Sequence, residues 1–343
     1  MPLNMSSPML EAPAVVRGTA PADITAVYQL VATDFDAVNA LIPMRLTSDV
    51  HLVEEIGRHI VDSGGKRLRP LLVLLSARCL GYRDDEHVKL AAIIEFLHTA
   101  TLLHDDVVDR SDLRRGRATA NRLWGNAPSV LVGDFLYSRA FQLMVELGRL
   151  DIIAILSDAT NVIAQGEVQQ LANVGNADLD EAAYFDVIRA KTAMLFQAAS
   201  HSAAVLASRD DAQIVALRDF GLTLGLAYQL VDDWLDYAGD PAVMGKNVGD
   251  DLAEGKVTLP LIHTLKHGSP SDRQLVRDAI ETRSNASLAD IVVAVRRSGA
   301  LDRTRHDAEL QARSAIDLLT KLPGGEHNDA LEDLVRFCVA RFK

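Results

Sequence analysis

Two long apolar stretches that read as buried helix end in the same acidic pattern, Asp105-Asp106-Val107-Val108-Asp109 and Asp232-Asp233-Trp234-Leu235-Asp236. Carboxylates crowded on the end of an apolar helix are disfavoured in their charged form unless a cation gathers them. A chain that does this twice must fold so that both helix ends can reach a shared polar site. On a helix, residues i and i+4 share a face with about 5 to 6 Å between Cβ atoms. Asp105 therefore points with Asp109, and Asp232 with Asp236, while Asp106 and Asp233 stand one step round the cylinder. Oxygen-only sites suit Mg²⁺, which keeps open positions for phosphate oxygens and water. All six carboxylates are expected to converge on metal, with several Mg²⁺ ions bridging the clusters through one diphosphate. One such cluster alone would as readily be a solvated helix face. The recurrence, with Gln229 one turn before the second cluster, argues against that.

A diphosphate also needs cationic partners, arginine as a bidentate clamp and lysine as a point charge. Lys66, Arg67 and Arg69 lie in the glycine-bearing segment Asp62-Ser63-Gly64-Gly65-Lys66-Arg67-Leu68-Arg69. Arg114, Arg115 and Arg117 follow the first cluster closely enough for a loop to fold back over it. Lys191-Thr192 interrupts an Ala-rich helical stretch, and Lys246 and Lys256 follow the second cluster. As a set, these residues read as two anion pockets.

The rest of the chain is helical in pattern. From Ile24 onward it is rich in Ala, Leu, Val and charged residues, aromatic residues are only 5%, and no segment alternates cleanly between hairpin turns. Pro70 suits a first helical position and Gly81 a stop for a helix over Leu71 to Leu80. Asp84 or Asp85 can cap the next helix, which runs through Leu103 towards the first cluster. Further helices are expected over Ser129 to Leu147, Asp151 to Asn173, Asp180 to Leu206, Asp210 to Tyr237, Leu259 to Lys266, Leu288 to Ser298 and Leu301 to Leu322. No connection separates domains and no repeat has a fixed period. The expectation is one all-α domain over residues 23–343, behind a loose leader at 1–22 that carries four prolines and resembles neither a secretory signal nor a transit peptide.

The 48% hydrophobic share of 343 residues is ample for a core. A formal net charge of -12 disfavours nucleic acid or an anionic membrane as main partner. No uninterrupted apolar run approaches the roughly 18 residues of a membrane-spanning helix. Cys79 and Cys338 lack metal-ligand spacing and fit buried thiols of a reducing cytoplasm.

With these residues in view, the chain resembles the trans-type (all-E) polyprenyl diphosphate synthases. The resemblance runs from about Asp62 to Lys256. It rests on Gly64-Gly65-Lys66-Arg67-Leu68-Arg69-Pro70, Leu102-Leu103-His104-Asp105-Asp106-Val107-Val108-Asp109, Arg114-Arg115-Gly116, Gly166-Glu167, Lys191-Thr192-Ala193, and the run from Gln229 to Asp236. Glu95 to Phe141 most resembles the bacterial long-chain members that make octaprenyl and related quinone side-chain precursors. The resemblance implies an all-α bundle of the isoprenoid synthase type around a central apolar cavity, and a homodimer. It implies Mg²⁺-dependent extension of an allylic diphosphate, such as farnesyl diphosphate, by isopentenyl diphosphate, with three Mg²⁺ per active site. It places the allylic diphosphate on both aspartate clusters with Arg114, Lys191, Thr192, Gln229, Lys246 and Lys256. Isopentenyl diphosphate falls on Lys66, Arg69, His98 and Arg115. The spacing from Lys246 to Lys256 differs from the family pattern by a residue, and Arg110 stands where long-chain members usually carry an acid.

Product length is expected to follow the depth of an apolar tunnel running back from Asp105. Small residues at Ala100 and Thr101 would open it, and Met144 and Leu156 would form its deeper wall. Rival readings are a terpene cyclase, an HD-type phosphohydrolase built on His104-Asp105, and a regulatory subunit. The Lys66/Arg69 pocket, needed only for a second diphosphate, opposes the first. Intact aspartate clusters oppose the last.

Overall fold

The computed structural model describes residues 24–208, 210–238 and 249–342. Its elements in order are α1 (Ile24–Leu30), α2 (Ala32–Arg45), α3 (His51–Asp62), α4 (Leu68–Cys79), α5 (Glu86–Val108), a two-residue hairpin of β1 (Leu113–Arg114) and β2 (Arg117–Ala118), α6 (Ala120–Trp124), α7 (Asn126–Leu147), α8 (Leu150–Ala172), α9 (Glu181–Ile188), a π-turn (Arg189–Ala193), α10 (Met194–Ala207), α11 (Asp211–Ala238), α12 (Asp250–Ala253), α13 (Leu259–His267), α14 (Pro270–Thr282), α15 (Leu288–Arg297), α16 (Ala300–Leu319) and α17 (Glu326–Ala340). The all-α expectation holds for the described residues. The leader at 1–22 lies outside them.

Helix α5 is apolar on nearly every side because it lies inside the bundle, against α4 and α7. Leu90, Ile93, Ile94 and Leu103 are wholly buried. Helix α4 is just as enclosed, with Leu71 to Leu75 at zero exposure. It begins at Leu68, two residues earlier than expected, so Pro70 takes the third position, where a missing N–H still costs no intrahelical bond.

The end of α5 sets where the first cluster sits. Ser111 N–H donates to Asp106 O at 3.0 Å and Arg110 N–H to Val107 O at 3.4 Å, with Arg110 at φ 54°. This is a Schellman stop, with arginine where glycine is usual. It halts the helix one turn past Asp105.

Helix α11 joins two apolar cores. Its first half (Ala216, Leu217, Phe220, Leu224) packs into the larger core with α4, α5, α8 and α10. Its second half (Leu230, Val231, Leu235, Tyr237) packs into a smaller core with α13 and α16. By length and composition α11 is apolar enough to cross a membrane, yet 56% of that window is buried within this fold and its end carries the second aspartate cluster. Cys79 and Cys338 are free and buried.

Candidate active site

A cavity of about 1030 Å³ opens between the ends of α5 and α11. Its wall includes Asp105 and Asp109 from α5 and Asp232 and Asp233 from α11, so the two clusters share one chamber. Asp106 and Asp236 do not line it and are wholly buried, so the expected convergence of six carboxylates is corrected to four. For Asp106 the reason is helical phase. One residue round from Asp105, it turns into the loop behind α5 and accepts Arg114 Nε at 2.9 Å and Nη2 at 2.7 Å. Burial alone would weaken the Arg114 charge, but this pairing and the nearby Asp105 and Asp109 hold its guanidinium above the ordinary value.

Each cavity-facing aspartate of α5 has its own lysine. Lys191 Nζ stands 3.9 Å from Asp105 Oδ2, and donates to Glu167 Oε2 at 2.6 Å and Gln170 Oε1 at 2.9 Å. Lys256 Nζ donates to Asp109 Oδ2 at 2.8 Å and is 2.6 Å from Glu254 Oε2. Burial raises the Asp105 carboxyl's proton affinity, Lys191 pulls it back, and the charge on Asp109 pushes it up again. Lys246 lies outside the described residues.

Lys191 and Thr192 belong to a π-turn rather than to the single helix expected over Asp180 to Leu206. Such widened turns re-aim side chains within an otherwise regular helix. Close approach of α8 permits this one. A Cβ at Gly166 would fall 2.7 Å from Ala190 Cβ and 3.1 Å from Lys191 N, so only glycine lets Glu167 reach the Lys191 amine.

Asp233 is held from two sides. Gln229 Nε2 donates to its Oδ1 at 2.7 Å, and the Tyr184 hydroxyl donates to its Oδ2. Thr192 Oγ1 in turn donates to Gln229 Oε1 at 2.8 Å. Burial first, and then the Asp251 charge, push the Asp233 carboxyl up to about 7. Asp232 accepts Arg341 Nη2 at 3.4 Å, and the Arg341 guanidinium lies over the Tyr228 ring at 5.3 Å.

The second cationic pocket occupies another part of the same wall. Lys66, Arg69, His98 and Arg115 all line the cavity, with Arg67 and Glu95 among them. Arg69 stacks over Phe196 at 4.4 Å and reaches His98 Nε2 at 3.2 Å. Burial, followed by the charges of Arg69, Arg115 and Arg114, holds the His98 imidazole well below its ordinary value, so it is neutral here. Arg115 fits against the loop because Gly65 has no side chain. A Cβ there would lie 2.4 Å from Arg115 Nη1. Arg67 and Arg115 both have positive φ, 43° and 52°, and both line the cavity, with Arg67 Nη1 donating to Asn39 Oδ1.

Of the expected tunnel residues, only Thr101 lines the cavity. Ala100, Met144 and Leu156 are corrected to packed core, at exposures of 0 to 1%. The apolar part of the wall includes instead Leu102, Ile163, Leu195 and Phe196. Tyr184, Gln170, Tyr228 and Arg341 also belong to the site and went unread in the sequence. Only Tyr184 left a signal, two helical turns before Lys191 on the same face.

The family model described as polyprenyl synthetase matches residues 50–296, which include both aspartate clusters and both cationic pockets apart from Arg341. Octaprenyl diphosphate synthase of Escherichia coli (strain K12) is 50% identical over 316 residues, 92% of this chain and 98% of that protein. The all-trans-nonaprenyl-diphosphate synthase (geranyl-diphosphate specific) of Rhodobacter capsulatus is 44% identical over 314 residues, 91% and 96% of the two chains. A crystal structure of polyprenyl synthase from Caulobacter crescentus CB15, complexed with calcium and isoprenyl diphosphate, aligns with a TM-score of 0.91 at 45% identity, covering 94% of this chain and 99% of that one. The chain belongs to the polyprenyl synthetase family, as a prenyltransferase of its long-chain, trans-type branch.

Proposed function

We propose that this chain extends an allylic diphosphate, farnesyl diphosphate by preference, with successive isopentenyl diphosphate units to an octaprenyl-like diphosphate for quinone side chains. The observation that carries this is the pairing, in one cavity, of an aspartate-lined subsite with a separate Lys66/Arg69/His98/Arg115 pocket. One diphosphate would use only the first. A second diphosphate explains both, and a terpene cyclase has no need of it.

Divalent metal fits the donors present. Among the described residues no three acidic, histidine or cysteine side chains form a closed cage. Asp105, Asp109 and Asp232 instead offer a few hard oxygens on a concave wall, the mode Mg²⁺ uses when substrate phosphates and water complete its shell. Asp105, Asp109 and Asp232 would hold the ions, and three ions per site would match a fully bridged diphosphate. When bound, Mg²⁺ neutralises charge that develops on the leaving diphosphate. Lys191, Lys256 and Arg114 add fixed positive charge to the same group, and such preorganised charge favours the ionised state over the ester. Leu102, Ile163, Leu195 and Phe196 keep water from an allylic cation. Arg69 and Arg115 orient the second diphosphate so that its alkene faces the reacting carbon.

A homodimer is part of the proposal. Its support is a run of exposed apolar residues along α7 and α8, with Leu131 at 65%, Val145 at 73%, Leu150 at 81% and Val168 at 66% exposure. The cytoplasm is the proposed location, in keeping with two free thiols.

Purified protein incubated with farnesyl diphosphate, isopentenyl diphosphate and Mg²⁺, with products sized by mass spectrometry, is expected to yield all-trans products near eight isoprene units. Chelation should stop the reaction and leave helicity intact. Release of phosphate without carbon–carbon coupling would overturn the reading. Light scattering tests the dimer.

A further inference from the structure

Tyr184 is 3% exposed, yet its ring lines the cavity and its hydroxyl reaches the second aspartate cluster. It lies on α9, before the π-turn that carries Lys191, and its partner Asp233 lies on α11. Beyond the π-turn entrance, Thr192 makes the next contact to α11, at Gln229, one turn before Asp233. Gln229 closes the circuit by donating to Asp233. Two rungs therefore run between the α9–π-turn strand of chain and α11, Tyr184 to Asp233 and Thr192 to Gln229. Lys191 sits between them. Lys191 itself is held by Glu167 and Gln170 of α8, and the two rungs fix the π-turn that carries it against α11. The same contact fixes the Asp232-Asp233 turn of α11, because Asp233 has a donor on each carboxylate oxygen.

We infer that Tyr184 is a positioning residue for the reaction: its hydroxyl holds Asp233, and with it the neighbouring Asp232 carboxylate and the π-turn that carries Lys191, in register around the allylic diphosphate. This rests on the assignment of the aspartate-lined subsite to that substrate. Tyr184 touches neither the Lys66 loop nor His98, so its influence is confined to one of the two diphosphate subsites. Partners that orient metal-site ligands in this way typically contribute about 10- to 100-fold in affinity or activity.

The test is Tyr184→Phe, which keeps the ring in its buried position and removes only the hydroxyl. Wild-type protein is first titrated by calorimetry with farnesyl thiodiphosphate, an unreactive allylic analogue, at fixed Mg²⁺. Failure of wild type to bind the analogue would sink the subsite assignment, independently of Tyr184. In the variant, analogue affinity is expected to fall about 10- to 100-fold, with a matching rise in the Mg²⁺ needed for half-maximal binding. The KM for isopentenyl diphosphate is expected to stay within about twofold. A double-mutant cycle with Asp233→Asn gives the second readout. If Tyr184 acts through Asp233, the pair of changes should lose no more affinity than Asp233→Asn alone. Unchanged analogue binding, equal losses for both substrates, additive losses in the cycle, or collapse of the Tyr184→Phe fold would each overturn the inference.

Discussion

Lys256 Nζ donates to Asp109 Oδ2 at 2.8 Å, joining residues 147 positions apart on the cavity wall. Burial opposes the lysine's charge, but Asp109, Asp251 and Glu254 outweigh it and hold the amine fully protonated. A diphosphate at Asp109 therefore meets a fixed cation beside the acid. Lys256→Gln should raise the KM for the allylic diphosphate about 10- to 100-fold, the equivalent of one charge-assisted hydrogen bond of about 1.5 to 3 kcal/mol. Initial rates with each substrate varied in turn check this. A rise confined to isopentenyl diphosphate would contradict it.

Asp105 and its neighbour Asp106 should answer differently to substitution. Asp106→Ala removes the wholly buried partner of the Arg114 guanidinium and leaves a gap behind α5, and should lower the melting temperature. Asp105→Ala removes a carboxyl that burial already disfavours in its charged form, so stability should hold while turnover is lost. Thermal unfolding and activity assays on the two variants, side by side, decide it. Equal melting temperatures would count against the buried pairing.

Product length should respond to Thr101 rather than to Ala100. Thr101→Phe projects a ring into the cavity and should shorten the product by several isoprene units. Ala100 has no exposed surface, so Ala100→Phe should overpack the core and cost about 1 to 3 kcal/mol in stability. Mass spectrometry of products and melting curves separate these effects. Products of unaltered length from a folded Thr101→Phe enzyme would place the growing chain elsewhere.

The His98 imidazole is held well below its ordinary value by burial and then by Arg69, Arg115 and Arg114. In the unfolded chain it binds a proton near pH 6.5, whereas the folded protein refuses one until the pH is far lower. Stability from this group is thus complete above the unfolded value and lost as pH falls through it, at up to about 1.4 kcal/mol per pH unit. His98→Gln should flatten the decline in denaturation free energy between about pH 7 and pH 5. Urea melts at a series of pH values measure it, and parallel curves for the two proteins would refute it.

The central helices were readable because burial on all sides leaves a plain trace of continuous apolar residues, as in α4 and α5. The position of the two aspartate clusters was readable for the same reason. What stayed hidden depended on small rotations. Asp105 and Asp106 are chemically identical in sequence, and only helical phase sends one to the cavity and the other to Arg114. The π-turn at Arg189–Ala193 has no sequence signature beyond Gly166 on another helix, so Asp180 to Leu206 read as one helix. Helices α2, α3, α14 and α17 went undelimited, although α3, α14 and α17 bury apolar residues at three- and four-residue spacing (Ile56 and Ile60; Val276 and Ile280; Leu331, Leu334, Val335 and Cys338). Arg341 could not be foreseen, since a lone arginine near the end of a chain is nearly always solvated. Its contact with Asp232 is a product of tertiary folding alone.

Arg110 ends helix α5 in a left-handed conformation that an L side chain adopts at a cost of about 1 to 2 kcal/mol. It is exposed and does not line the cavity. Arg67 and Arg115 carry the same kind of backbone but line the cavity. A thermostable form of this enzyme can thus be sought by placing glycine at 110, where relief of the backbone leaves the reacting groups untouched. The identical exchange at 67 or 115 would gain the same relief and take a cation from the cavity wall.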